Sequence, residues 1–400
     1  MTKVAVVTST RADYGLLSVL LHRIHNDPAL ELQLLVAGMH LLPEYGDTWR
    51  EIESEGLVIT RKVSLYSDED IKHGLSSRYT SVKAVARGLL AFGEVFTDLK
   101  PDLLLVLGDR FEMLAATQAA LLLDIPIAHI HGGEVTEGAL DEAVRHAITK
   151  MASLHFVATE RYRQRVIQLG EPPHSVFNVG APGLEPLIGQ ELLNRQTLEQ
   201  HLGFTLRSPC LLITYHPETR GSLSAEAQIA CVLGALEQLT EMFCLFTAPN
   251  IDVGGEAVLA AIKQFQAKHA DRAMFIESLG RKRYLSALKY VDAVVGNSSS
   301  GIIEVPSFGI PTVNIGDRQK GREKAPSIMD VSCETQSIAA AIRCAVSRER
   351  DKAPVNPYIG GPTSALIVER LKQFDTTAGC RKVFYDLPSA VFCGSEVDHV

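Results

Sequence analysis

A stretch of small residues in the second half of the chain has the composition of an anion-binding turn. The residues that follow the apolar run ending at Val295 are Gly296, Asn297, Ser298, Ser299, Ser300 and Gly301. Backbone amides at such a turn, together with the positive end of a helix dipole, favour a phosphate. Glu304 lies about one helical turn further on, where its carboxylate could accept hydrogen bonds from a ribose diol. The stretch therefore predicts a nucleoside diphosphate site, although serines that merely cap a helix would give the same pattern.

Arginine side chains at other positions extend the predicted anion site. Arg11 directly follows the first apolar run of the chain, and a guanidinium there can bind a phosphate through two hydrogen bonds. Arg318 and Arg322 lie in a basic loop after a later apolar run. Two guanidiniums beside exposed amides are what a diphosphate leaving group needs. A surface ion pair between Arg11 and Asp13, and a solvated basic loop, are the structural alternatives.

Ionisable side chains that suit acid/base chemistry follow two successive apolar runs of the first half. Asp109 comes after the run Leu103–Leu107, and His131 comes after the next run. The acidic residues that follow are Glu134, Asp141 and Glu142. Such a cluster at one sheet edge would be costly for folding alone, which favours catalysis. Locally, Asp109 could instead be a helix N-cap, and Asp141 could form an ion pair with Arg145 one turn away.

The apolar runs that carry these residues are short, rich in Val, Leu and Ile, and alternate with helix-length segments. This pattern is typical of buried parallel strands with crossover helices. Strands are predicted near 3–8, 32–36, 103–107, 126–130, 154–158 and 176–179, and the polar segment 61–78 is predicted to be an exposed, mobile loop. After a Pro-rich linker near 180–190, a second series begins, in which His216 and Asn250 follow two of the strands. Ligands collect at the carboxyl ends of such strands.

Length and composition set outer bounds on the fold. A chain of 400 residues exceeds what one core usually organises. We predict an N-terminal domain (1–180) with the acid/base residues, a C-terminal domain (181–365) that binds the nucleotide, and a C-terminal helix and tail (366–400) that can pack back on the first domain. Hydrophobic residues make up 46% and charged residues 22%, which is typical of an ordered protein.

Charge and cysteine content exclude several classes of partner. A net charge of −8 argues against a general nucleic-acid binder. Seven scattered cysteines without CxxC or metal-ligand spacing are typical of reduced thiols, which predicts a cytoplasmic protein. We expect no signal peptide, no membrane span, no metal and no cofactor.

Several of these segments together resemble the UDP-N-acetylglucosamine 2-epimerase family, in particular its hydrolysing branch, which feeds sialic acid and related nonulosonic acid synthesis. The matching segments occur in family order and are Thr10–Gly15, Gly108–Glu112, Gly132–Lys150, Pro249–Asp252, Gly296–Ser299 and Arg318–Glu323. The resemblance implies an α/β fold with two Rossmann-like domains facing across a cleft, the GT-B architecture. It also implies that a UDP-sugar lies between the two domains.

The resemblance also assigns roles. In such enzymes UDP leaves by elimination across C1–C2, and water then adds to the glucal to give the free 2-epimer. Asp109, Asp141 and Glu142 are the implied acid/base candidates, and His216 is a catalytic candidate near the phosphates. The residues expected to bind the UDP-sugar are Arg11, Asn250, Ser298, Ser299, Ser300, Gly301, Glu304, Arg318 and Arg322.

At one position the chain departs from the family pattern. Many relatives carry a catalytic glutamate where this chain has His131. Either His131 takes over acid/base work, for which an imidazole is suited near neutral pH, or Glu134 does, or the substrate differs. The last alternative corresponds to a bacterial branch of the family that acts on UDP-2,4-diacetamido-2,4,6-trideoxyglucose rather than on UDP-N-acetylglucosamine.

Other functions would use overlapping residues. A non-hydrolysing 2-epimerase returns UDP to the sugar, a GT-B glycosyltransferase needs an acceptor, and a UDP-sugar-binding regulator needs no catalysis. We predict the hydrolysing enzyme, which releases UDP and an N-acetylmannosamine-type sugar. Family resemblance further implies a homodimer or homotetramer.

Overall fold

The strands of the computed structural model, which describes residues 1–73, 75, 78–137, 140–188, 191–218, 223–249 and 254–388, form two separate sheets. The strands of the N-terminal sheet are β1 (Thr2–Thr8), β2 (Leu30–Ala37), β3 (Ile59–Val63), β4 (Leu103–Leu107), β5 (Ile127–Ile130), β6 (Leu154–Val157) and β7 (Val176–Asn178). Those of the C-terminal sheet are β8 (Cys210–Thr214), β9 (Phe243–Thr247), β10 (Ala273–Ile276), β11 (Ala293–Gly296), β12 (Thr312–Ile315) and β13 (Ile328–Val331).

Both sheets are parallel and share one strand order. The N-terminal sheet runs β3-β2-β1-β4-β5-β6-β7, and the C-terminal sheet runs β10-β9-β8-β11-β12-β13. In each, the order reverses beside the first strand, between β1 and β4 and between β8 and β11. Doubly wound sheets bind ligands at this reversal, outside the carboxyl ends of the strands. The topology therefore marks two facing positions at which a ligand can be held.

Helices cover both faces of each sheet, as parallel strands with apolar residues on both sides require. The helices are α1 (Arg11–Asn26), α2 (Trp49–Ser54), α3 (Asp68–His73), α4 (Arg78–Leu99), α5 (Phe111–Leu122), α6 (Asp141–Met151), α7 (Glu160–Gln168), α8 (Arg195–Leu202), α9 (Ala225–Glu237), α10 (Gly255–Lys268), α11 (Gly280–Ala287), α12 (Ser300–Ile303), α13 (Thr335–Val346) and α14 (Thr363–Gln373). Strand β4 shows the consequence, because all five of its side chains are buried.

The interpretation of 61–78 as an exposed, mobile loop was wrong. Its first residues belong to β3, and α3 follows. Asp70 in α3 is buried and forms ion pairs with Lys83 and Arg87 of α4. The edge strands β3 and β13 were missed because an edge strand has one exposed side and needs no continuous apolar run. Polar residues such as Arg61 and Lys62 therefore hide β3 in the sequence.

The C-terminal segment lies on the N-terminal half of the molecule. Ile367 and Leu371 of α14 pack in the same buried cluster as residues of α1. Further along, Lys382 Nζ donates to both carboxylate oxygens of Glu171, at 2.9 and 2.8 Å. Among the residues described, no helix is both long and apolar enough to cross a membrane.

Candidate active site between the two sheets

Asp109 stands at the carboxyl end of β4, beside the reversal of strand order. It is not a helix N-cap, because α5 begins at Phe111 and the capping position is Arg110. Its carboxylate forms an ion pair with Arg145 of α6, whose side chain is buried. Within the described part of the chain, the second oxygen, Oδ1, has no hydrogen-bond partner. A buried guanidinium therefore holds one oxygen of Asp109, while the other oxygen remains free for a ligand.

Arg145 and Glu142 together hold the loop that follows β5. Arg145 Nη1 donates to the backbone oxygen of Glu134 at 3.0 Å and to Glu142 Oε2 at 3.2 Å. Glu142 Oε2 also accepts from the backbone N–H of Thr136 at 2.5 Å, and Oε1 lies 3.0 Å from His146 Nε2. Both oxygens of Glu142 are thus occupied by protein groups, which fits a residue that shapes the site.

His131 is held in a backbone conformation that is unusual for a side chain of its size. Its φ is 67°, in the left-handed region, where a bulky residue is rare and usually marks a functional site. His131 Nδ1 lies 2.5 Å from Glu134 Oε1, and both side chains are buried. The carboxylate fixes the proton on Nδ1, and Nε2 has no hydrogen-bond partner among the described residues.

The second oxygen of Glu134 crosses to the other domain. Arg322 Nη1 lies 2.9 Å from Glu134 Oε2. Burial alone would raise the pKa of Glu134, but Arg322 and His131 outweigh it and lower the pKa to about 2. Glu134 is therefore an anion at physiological pH. Arg322 disfavours the charged form of Arg145, because the two cations repel each other. Burial and the nearby Arg322 lower the pKa of Arg145 to about 9.

On the C-terminal side, Asn297 connects the ends of β8 and β11. Its side-chain oxygen accepts from the backbone N–H of His216 at 2.8 Å, and its Nδ2 donates to the backbone oxygen of His216 at 2.8 Å. Gly296 allows this approach, because its φ is 134° and any Cβ would collide with the backbone oxygen of Thr214. The serine turn and His216 therefore occupy fixed positions at one reversal point.

The serine turn offers amides to an anion, but little helix dipole. Helix α12 has only four residues, Ser300–Ile303, so the prediction that a helix dipole assists the turn was wrong. The backbone N–H groups of Ser298 and Ser299 have no backbone acceptor within the described ranges. The Ser300 hydroxyl contacts the Tyr284 hydroxyl, and Gly301 is buried.

Arg318 lies directly beside this turn. Its Nη1 donates to the backbone oxygen of Asn297 at 3.2 Å, and Gln319 Nε2 donates to the same oxygen at 2.9 Å. Burial, reinforced by Arg318, lowers the pKa of His216 to about 3, so its imidazole is neutral. A guanidinium, a neutral imidazole and the two serine amides therefore surround one small region.

Glu304 faces the cleft from below the turn. One of its oxygens, Oε2, is buried without a hydrogen-bond partner in the described residues. Burial raises the pKa of Glu304, while Arg281 and, from the other domain, His131 oppose the rise. Arg281 itself joins the domains, because its Nη1 donates to the backbone oxygen of Gly15 at 2.8 Å. Glu304 and His131 therefore interact electrostatically between the two domains.

Arg11 behaves differently from both local interpretations. Asp13 does not pair with it, because that carboxylate accepts from Ser9 and Thr10 at the start of α1. Arg11 Nε instead lies 3.0 Å from Glu51 Oε2, and the side chain is half exposed. Its guanidinium reaches the neighbourhood of Gly280 in the C-terminal domain, so it stands at the cleft without facing the serine turn directly.

The structure brings most of the predicted residues to the cleft, with two exceptions. Asp141 is the first residue of α6, beside Glu142, and its role stays a prediction. Asn250 lies outside the described residues. Arg281 was missed, because it sits in the run Arg281-Lys282-Arg283, which looks like a solvated helix face. Tyr162 and Tyr358 were also missed; their hydroxyls lie 2.8 Å apart at the domain boundary.

Known proteins share this arrangement. The family described as UDP-N-acetylglucosamine 2-epimerase matches residues 22–372. The chain is 40% identical over 328 residues to the GDP/UDP-N,N'-diacetylbacillosamine 2-epimerase (hydrolyzing) of Campylobacter jejuni, covering 82% of this chain and 84% of that protein. It is 38% identical over 371 residues to the UDP-N,N'-diacetylbacillosamine 2-epimerase (hydrolyzing) of Legionella pneumophila, covering 92% and 95%.

A solved structure supports the same fold. The UDP-GlcNAc 2-epimerase from Neisseria meningitidis, in its complex with UDP-GlcNAc, superposes with a TM-score of 0.78 at 19% identity and covers 93% of this chain and 100% of that chain. The predicted fold class of two α/β domains with parallel sheets is confirmed. The chain is therefore an enzyme of the UDP-N-acetylglucosamine 2-epimerase family, of the hydrolysing type.

Proposed function

We propose that this enzyme converts UDP-N,N'-diacetylbacillosamine, whose sugar is 2,4-diacetamido-2,4,6-trideoxyglucose, to UDP and the free 2-epimer. The two relatives named for this sugar share 38–40% identity with the chain. His131, where we expect a glutamate in many UDP-N-acetylglucosamine enzymes, agrees with a change of substrate. The product then belongs to the sugars that feed nonulosonic acid synthesis.

One observation carries the catalytic part of the proposal. The His131–Glu134 pair at the end of β5 lies against Arg322 of the other domain, and it acts electrostatically on Glu304 of that domain. An imidazole with one nitrogen fixed by a carboxylate and the other facing a cleft suits proton transfer near neutral pH. The opposite wall of that cleft carries the groups that suit a diphosphate.

The reaction needs a base at C2 and a stable place for the leaving group. We assign the base to His131 Nε2, which takes the C2 proton while the C1–O bond breaks and UDP departs with its electron pair. The remaining sugar is a 2-acetamidoglucal with a C1–C2 double bond. Glu134 stabilises the imidazolium that forms, because its carboxylate is already ionised and lies 2.5 Å away.

Hydration of the glucal then sets the new configuration. Water adds its oxygen to C1, and a proton adds to C2 from the face opposite to the one that was deprotonated. Asp109 follows the neighbouring strand β4, so its carboxylate can take a proton from the adding water and deliver it to C2 on a different face of the ring from His131. Its ion pair with Arg145 holds the carboxylate in place, and the negative charge of the carboxylate stabilises positive charge at C1 as UDP leaves.

The leaving group is held by the C-terminal domain. The free amides of Ser298 and Ser299 and the guanidinium of Arg318 suit the two phosphates. His216 is neutral, and the one N–H of its imidazole can donate a hydrogen bond to a phosphate. Glu304 Oε2, buried without a partner, suits a ribose hydroxyl as its donor.

Product analysis in D2O tests the proposal. UDP-N,N'-diacetylbacillosamine, its GDP counterpart and UDP-N-acetylglucosamine are each incubated with the enzyme without an acceptor, and the products are followed by NMR. We expect free UDP and a free sugar with deuterium at C2, formed fastest from UDP-N,N'-diacetylbacillosamine. A UDP-linked epimer without free UDP, a product without deuterium, or no turnover until an acceptor is added would overturn it.

Two wider expectations remain predictions. A cytoplasmic location follows from the cysteine content alone, and a homodimer or homotetramer follows from the family resemblance alone. Size-exclusion chromatography with light scattering measures the second.

A further inference from the structure

We infer that Arg322 is a positioning residue that couples closure of the two domains to the orientation of the His131–Glu134 pair, and not a ligand of UDP. This inference rests on the proposed function of His131. It reassigns Arg322, which the sequence places with the phosphate-binding arginines. The geometry separates the two arginines of the loop, since Arg318 reaches the serine turn whereas Arg322 reaches Glu134.

Burial distinguishes Arg322 from an ordinary surface cation. Its side chain is 9% exposed, and Glu134 on the other domain is 2% exposed. Burying either of these charged groups without the other would cost free energy. The pair can form only when the loop after β12 lies against the loop after β5. The ion pair is therefore a property of the closed arrangement.

Backbone contacts fix the loop in that place. The backbone N–H of Glu137 donates to the backbone oxygen of Lys320 at 3.4 Å. The N–H of Glu323 donates to the Tyr162 hydroxyl at 2.9 Å, and the Tyr358 hydroxyl donates to the Glu323 oxygen at 2.9 Å. Contacts thus flank Arg322 on both sides and hold its backbone beside the loop that carries Glu134.

Other charged groups face the same pair and must be included in any account of pH dependence. On the N-terminal side, Arg145 donates to the Glu134 backbone oxygen and Arg165 to the Gly133 backbone oxygen. The remaining titratable groups that influence the pair are His129, Tyr162, Tyr358 and Glu304. Arg322 differs from them because its ion pair is made directly to the carboxylate from the opposite domain.

The consequence concerns how and when His131 becomes active. With the domains apart, Glu134 Oε2 loses its cation, and the carboxylate can rotate away from His131 Nδ1. Closure over a UDP-sugar restores the ion pair and fixes the imidazole with Nε2 toward C2. Proton abstraction is then confined to the closed state, in which water is excluded from the sugar.

Arg322→Gln, Arg322→Lys and Lys320→Ala test the inference. Lys320 is the matched control, since it lies in the same loop and makes a cross-domain ion pair with Glu137 at 3.5 Å, but is 59% exposed. We expect Arg322→Gln to lower kcat roughly 10- to 100-fold, the scale seen for residues that orient a functional group. The UDP affinity of Arg322→Gln should stay within about twofold of the wild-type value. Arg322→Lys should recover part of kcat, and Lys320→Ala should have the wild-type kcat.

The pH profile gives a readout that a purely structural role would not move. Removing the cation raises the pKa of Glu134, which burial alone pushes upward. The acid limb of kcat should therefore move to higher pH in Arg322→Gln and return toward wild type in Arg322→Lys. In a double-mutant cycle, Glu134→Gln with Arg322→Gln should lose no more kcat than the worse single variant.

A turnover-independent measurement separates this inference from the proposed function. The Nδ1 and Nε2 shifts of His131, assigned with His131→Asn, report its tautomer in 15N-histidine-labelled protein. We expect one fixed tautomer in wild type with UDP and a mixture in Arg322→Gln. Loss of UDP affinity with an unchanged tautomer and pH profile would overturn the inference and return Arg322 to the phosphates. A tautomer change in Arg322→Gln, together with no turnover of any UDP-sugar by the wild-type enzyme, would refute only the proposed function.

Discussion

The two edges that face each other across the cleft treat their polar groups in opposite ways. At the N-terminal edge the principal carboxylates have cations or imidazoles beside them: Asp109 has Arg145, Glu142 has His146, and Glu134 has His131. At the C-terminal edge, Glu304 Oε2 and Arg281 Nε are buried without hydrogen-bond partners among the residues described.

The difference follows from what each edge has to do. Groups that move protons must keep their orientation and charge before the substrate arrives, because reorganisation during the reaction would raise the barrier. Groups that bind a ligand can leave bonds unmade, because the ligand then supplies them. The comparison predicts that substitutions at the N-terminal edge lower turnover and that those at the C-terminal edge lower affinity.

Asp109→Asn should have the largest effect. We expect turnover to fall more than ~100-fold, the scale of a lost acid/base group, with nearly unchanged UDP affinity. Steady-state kinetics and calorimetric UDP titration measure the two quantities. The change removes the negative charge that pairs with the buried Arg145 and could destabilise the fold. A thermal unfolding curve of the variant is therefore the folding control. Wild-type turnover in the variant would remove Asp109 from the mechanism and weaken the contrast between the edges.

Arg318→Ala should act on affinity. Loss of a charge-assisted hydrogen bond should weaken UDP binding by about 1.5–3 kcal/mol. Lys320→Ala, in the same loop but exposed, is the control for a general loss of positive charge. Calorimetric titration of both variants with UDP decides the point. Equal affinity in the two variants would place Arg318 outside the binding site.

Each edge also buries a neutral histidine, which makes folding stability fall in acid. The pKa of His129 and that of His216 are lowered to about 3, chiefly by burial, whereas the unfolded value is about 6.5. The unfolded chain therefore binds more protons, and stability is lost as pH falls below about 6.5. Each histidine should cost about 1.4 kcal/mol at pH 5.5.

His129→Gln tests this pH dependence at the N-terminal edge. The variant should lose about 1.4 kcal/mol of the stability change between pH 7.5 and 5.5, a range that lies above the one in which Glu134 titrates. Chemical denaturation at both pH values gives the measurement. An undiminished pH dependence in the variant would show that other groups cause the loss.

Glu304→Gln should have the smallest effect. If the carboxylate binds the ribose diol, the preference for UDP over 2'-deoxy-UDP should drop by about 1 kcal/mol, because a neutral amide replaces a charged carboxylate as the hydrogen-bond acceptor. Competition binding with the two nucleotides measures it. A preference that stays at its wild-type value would assign another acceptor to the ribose.

Individual residues show which parts of the cleft the sequence predicts. Asp109, His131 and the serine turn were found because each follows a run of apolar residues, and strand ends at one sheet edge lie together whatever the rest of the chain does. The position of Arg11 was also found, but its partner was not, since Asp13 and Glu51 are equally plausible until α2 is placed. Arg281 could not be found, because the basic run around it resembles any solvated helix face.

The sequence by itself determined most of the strands, their parallel arrangement and the types of chemistry that their ends carry, because these depend on local apolar patterns and on the residues that interrupt them. Only the tertiary structure decided which charges neutralise each other. Glu134 and Arg322 are 188 positions apart in the chain, and nothing local marks them as partners. Their pairing depends on how two separately formed sheets meet, and this meeting places Arg322 against the His131–Glu134 pair.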